Sequence, residues 1–140
     1  MLDPRLLAQQ LLTHYPELRQ KIEKAALPPF KDAAKGLEET IKFLALASEV
    51  RALACTPSSR VDLVWHEFIL FTRLYAEFCQ QNFGKFIHHD PAKIGASCSL
   101  QYEQTLDLYL KRYGPPDAFW WESPRKGAAD CGMCDAMDAH

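Results

Sequence analysis

The segment from Arg60 to Asn82 constrains this chain more than any other. Projected at about 100° per residue, Val61, Val64, Trp65, Phe68, Phe71, Thr72, Tyr75 and Cys79 fill one broad face, with Leu63, Leu70 and Leu74 to one side. Only a narrow strip is left for water, and a helix apolar over so much of its circumference needs neighbours on more than one side. The pattern predicts one continuous helix from about Arg60 to Asn82, fourth in the chain and central to the fold.

The flanking sequence is helical as well. Leu2, Leu6, Leu7, Leu11 and Leu12 recur at helical spacing from about Asp3 to Thr13, with Pro4 in the first turn where its missing N–H costs nothing. Pro16 restarts the chain, and Leu18, Ile22 and Ala25 or Ala26 make a second short stripe that Leu27-Pro28-Pro29 stops. From Lys31 to about Cys55, a long third helix turns Leu37, Ile41, Leu44, Ala45, Ala47 and Val50 inward. The linker Thr56-Pro57-Ser58-Ser59 ends in N-cap residues, and Asp62 follows where a helix dipole favours negative charge. A loop over about Phe83 to Ala96 contains Gly84 and His88-His89-Asp90-Pro91. Ser97 or Ser99 then caps a fifth helix carrying Leu100, Tyr102, Leu106, Leu108, Tyr109 and Tyr113, closed by Gly114-Pro115-Pro116. A turn from Asp117 to Trp121 brings two tryptophans back onto the domain.

No period-two run and no internal repeat interrupts this pattern. The expectation is an all-α domain of about five helices, compact and orthogonal or bundle-like, over residues 1–122. Residues 123–140 change to Ser, Pro, Gly, Ala and Asp without a stripe to bury, the composition of a flexible tail. A length of 140 residues, 48% of them apolar, supports one such core and no second domain.

Charge and cysteine usage narrow the setting. Sixteen Lys and Arg against eighteen Asp and Glu leave no strong positive field, so nucleic acid and anionic membrane are not expected partners. Neither a secretory leader pattern nor an apolar run of membrane-spanning length occurs. Five cysteines, odd in number and irregularly spaced, are unlike a secreted disulfide framework and place the expectation in a reducing cytoplasm.

The most pointed chemistry is Asp62-Leu-Val-Trp-His66, because residues four apart on a helix share a face and their side chains can reach one point. Downstream, His88 and His89 lie in a loop bounded by glycine and proline. Imidazole and carboxylate suit one divalent transition metal such as zinc or iron, held by Asp62, His66 and one of His88 and His89, with Cys79 one helix face away as a further candidate. The competing expectation is structural: Asp62 charges the helix start, His66 bonds a buried carbonyl, and the loop histidines stay in solvent. The zinc-protease pattern His-Glu-x-x-His fails, since Leu70 stands where the second histidine would be.

Cys131-Gly-Met-Cys134 in the tail can chelate a soft metal or form a disulfide, but the second cysteine pair of a structural zinc site is missing. Tyr75, Tyr102, Tyr109, Trp65, Trp120 and Trp121 fall at core spacings. Phosphate-cradling, nucleophile-elbow and dinucleotide patterns are absent, so no organic cofactor is expected and the catalytic residues, if the chain has any, are not named by a motif.

Val61-Asp62-Leu-Val-Trp65-His66-Glu-Phe-Ile-Leu70, Tyr75, Phe78-Cys79, Gly84 and Phe86-Ile87-His88-His89-Asp90-Pro91, followed by Tyr102, Thr105, Leu108-Tyr109 and Gly114-Pro115-Pro116, together resemble the glycine-rich domain-containing protein-like family over about Pro57 to Trp121. The resemblance implies a helical domain, with Cys131-Gly-Met-Cys134 as a shortened counterpart of a Gly- and Cys-rich tail, and no particular reaction. Two expectations of different class result: a protein binding one metal ion through its Asp/His site, or a non-enzymatic module whose first two helices and tail meet a protein partner.

Overall fold

The computed structural model describes residues 2–25, 32–50, 55–89 and 96–122, with backbone alone at 96–99. Six α-helices and no strand occur among them: α1 (Pro4–His14), α2 (Pro16–Ala25), α3 (Ala33–Glu49), α4 (Ser59–Leu70), α5 (Thr72–Phe83) and α6 (Ala96–Tyr113). The all-α expectation holds.

Local chemistry sets most boundaries. Asp3 caps α1 by accepting from the Leu6 N–H at 3.2 Å, and Asp32 caps α3 by accepting from the Lys35 N–H at 2.8 Å. Ser58 has two tasks at the head of α4: its hydroxyl oxygen accepts from the Val61 N–H at 3.1 Å, and its hydrogen goes to the Trp120 carbonyl at 2.5 Å. Gly84 and Gly114 close α5 and α6 with φ of 72° and 87°, the left-handed region where a side chain is strained.

The fourth expected helix is two helices. At Phe71 (φ −85°, ψ 69°) the backbone leaves helical geometry, and this residue both ends α4 and precedes α5. The broad apolar face of the Arg60–Asn82 window is therefore two ordinary stripes on different axes. α4 buries Val61, Val64, Trp65 and Phe68, while α5 buries Tyr75, Phe78 and Cys79.

The central helix is α3 instead. It packs against α1, α2, α4 and α6 and buries residues on nearly all sides, including Leu37, Ile41, Phe43, Leu44 and Leu46. It is shorter than expected, ending at Glu49, and the stretch 51–54 lies outside the described residues. Close approach is permitted where Gly36 faces the Trp120 ring.

A carboxylate is fully enclosed in this core. The Glu39 carboxylate on α3 accepts from the Tyr109 hydroxyl at 2.5 Å and from the Trp121 indole N–H at 2.9 Å, and it pairs with Lys35 at 3.1 Å and Lys42 at 3.2 Å. Burial alone pushes a carboxyl up. Here the hydrogen bonds from Tyr109 and Trp121, with the Lys42 charge, overcome it and hold Glu39 below its ordinary value. The network ties α6 and the 120–121 turn to the central helix.

Candidate functional site

The site is assembled by the bend. In one straight helix, Trp65 and Tyr75 would stand about 15 Å apart along the axis, at 1.5 Å per residue. With the chain turned at Phe71, α5 folds back and the Trp65 indole N–H donates to the Tyr75 hydroxyl at 3.0 Å. That hydroxyl in turn donates to the Ile87 carbonyl at 2.6 Å, which draws the loop after α5 across α4.

Burial along this loop alternates. Phe86 and His88 are exposed, while Ile87 is buried and His89 half-buried, as in an extended segment whose successive side chains take opposite sides. His89 thereby meets α4, and its Nε2 lies 2.8 Å from Asp62 Oδ1. Its ring rests 4.4 Å from the Trp65 ring and 6.2 Å from that of His66, centroid to centroid. With a carboxylate as acceptor, Nε2 carries the hydrogen, so Asp62 selects the tautomer and orientation of the imidazole. Side-chain exposures of 14% for His89 and 23% for Asp62 leave the pair partly open to solvent.

The four candidate residues are thus divided. Asp62 and His89 touch, and His66, exposed on the next turn of α4, is adjacent. His88 goes the other way, its ring packed edge-on against Phe86 at 4.7 Å. Among the described residues, no group of three or more His, Cys, Asp or Glu side chains stands at metal-holding spacing as it is. Cys79 is a buried free thiol pushed up by desolvation, and Cys55 is likewise buried. Cys131 and Cys134 lie outside the described residues.

A family model described as UCP032817-like matches residues 3–111. The chain belongs to the UCP032817-like family. That match takes in α1 to α3, which the glycine-rich resemblance over Pro57 to Trp121 left out, and the glycine-rich assignment is corrected accordingly. Many residues behind the resemblance, among them Trp65, Phe68, Tyr75, Cys79, Tyr102 and Tyr109, are core positions. A helical core repeats such types at such spacings without regard to family. The family's name states no activity, and none passes to this chain from it. No curated protein and no solved structure matches. No helix among the described residues is long and apolar enough to cross a membrane.

The Glu39 cluster escaped sequence reading. Its only trace is the Lys35, Glu39, Lys42 spacing, which is identical to a ladder of exposed ion pairs on a helix surface. Tyr109 and Trp121, which turn that ladder into a buried hub, lie far along the chain.

Proposed function

We propose that this helical protein holds one divalent transition-metal ion, zinc or ferrous iron, between Asp62, His89 and His66. The supporting observation is the 2.8 Å contact of Asp62 with His89, beside an exposed His66 ring 6.2 Å from that of His89. One carboxylate and two imidazoles form a donor set that suits either ion and leaves positions for water.

The ion takes the place of the hydrogen now shared by the pair. At metal–ligand distances of about 2.0–2.1 Å and a tetrahedral angle, the oxygen and nitrogen would stand about 3.3 Å apart, so the pair opens by roughly half an ångström. His66 supplies its nitrogen by rotating about its side-chain bonds, which its exposure permits. His88 is not in the set.

Untagged protein titrated with zinc at pH 7.5 should bind one ion per chain. His66→Ala and His89→Ala should each weaken binding at least tenfold, His88→Ala should not, and affinity should fall below about pH 6.5, where imidazoles in general take up protons. If stoichiometric zinc is not bound, or His66→Ala binds as tightly as wild type, the Asp62–His89 contact is a structural clasp and the metal reading is wrong.

A further inference from the structure

We infer that Tyr75 on α5 is a positioning residue for His89, because its hydroxyl holds the buried backbone carbonyl of Ile87. The inference rests on the metal-binding reading for the importance of His89, while its geometry stands apart from any ion.

The Tyr75 hydroxyl donates to the Ile87 carbonyl at 2.6 Å. The Tyr75 side chain is fully buried and Ile87 is 5% exposed, so the carbonyl cannot turn to water if its partner is lost. Burial keeps the Tyr75 hydroxyl protonated, which suits it to hydrogen bonding rather than to nucleophilic chemistry.

These contacts close a circuit. From Asp62 on α4 it runs through the His89 imidazole and two residues of backbone to Ile87, then through Tyr75 to the Trp65 indole, which is again on α4. That indole ring lies 4.4 Å from the His89 ring, centroid to centroid, the two tilted by 59°. The imidazole is therefore located from three directions: by the carboxylate at its Nε2, by the indole ring beside it and by the clamped backbone two residues before it. Hydrogen bonds and packing behind a histidine are what set its orientation as a ligand in metal sites. Asp62 and His66 face His89 from α4, and Tyr75 faces its loop from α5.

Tyr75→Phe keeps the ring and removes only the hydroxyl, which makes it the discriminating variant. In the full chain, the imidazole proton resonances of His89 report the nearby Trp65 ring without any metal. We expect Tyr75→Phe to move these resonances toward those of a histidine away from the indole and to lower zinc affinity about tenfold or more. Ile22→Val, a core truncation on α2, should leave both unchanged. Wild-type His89 resonances in Tyr75→Phe would overturn the inference. Should wild type bind no zinc while the resonances still move, the metal reading fails and the positioning role stands.

Discussion

Glu39 and Tyr109 share a hydrogen bond of 2.5 Å across 70 positions of chain. A carboxylate with no exposed surface is costly unless its oxygens are occupied, and here hydroxyl, indole and two ammonium groups occupy them. Glu39→Ala removes the acceptor and leaves Tyr109 and Trp121 with buried donors, while Lys42 keeps its pair with Glu38 at 3.2 Å. It should cost about 3–5 kcal/mol in urea unfolding. A loss under about 1 kcal/mol would mean that the enclosure is not as tight as these distances require.

Acid should act through the same group. The folded pKa of Glu39 lies below its ordinary value, so its ionised form stabilises the fold above the unfolded pKa of about 4.3. That contribution is lost as pH falls through the folded value. Below about pH 4.5, wild type should therefore lose stability more steeply than Glu39→Gln, which has no proton to take up. Parallel stability curves for the two proteins between pH 6 and 3 would exclude Glu39 as the acid-sensitive group.

Gly36 tests the packing of the terminal turn on α3. A Cβ built there falls 2.6 Å from Trp120 Cη2 and 3.2 Å from Val64 Cγ2. Alanine is the better helix former by about 1 kcal/mol, but overpacking costs about 1–3 kcal/mol, and a buried indole has little room to retreat. Gly36→Ala should lower the melting temperature, and Trp120→Phe in that background should recover part of the loss. A melting temperature above wild type would show that propensity outweighs the clash.

The helical class, the Ser58 cap and the stripes of α1 and α2 were legible because each depends on neighbours within one or two turns, whereas Ser97 and Ser99, expected to cap the last helix, lie inside α6. The break at Phe71 was not. Leu70-Phe71-Thr72 contains neither glycine nor proline, and the bend is stabilised by what it brings together, Trp65 with Tyr75 and Phe68 with Phe78. The same limit applies to the site. Spacing placed Asp62 and His66 on one face, but the choice of His89 over His88 depends on the Tyr75 hydroxyl reaching Ile87, a contact made only after the chain has turned.

That bend yields a last, paired prediction. Phe68 is fully buried on α4, edge-on to Tyr75 at 5.1 Å and to Phe78 at 5.3 Å, both on α5. It is the side chain across which the two helices close. Leu70, two residues on and of similar hydrophobicity, is 59% exposed. Phe68→Ala should accordingly cost about 3–5 kcal/mol, while Leu70→Ala should stay within about 0.5 kcal/mol of wild type. In a continuous helix with one broad buried face, Leu70 would be drawn toward the core at the edge of that face, and its truncation would be felt. Comparable losses from the two variants in denaturant unfolding would therefore restore the single helix and remove the turn on which the Trp65–Tyr75–Ile87 connection depends.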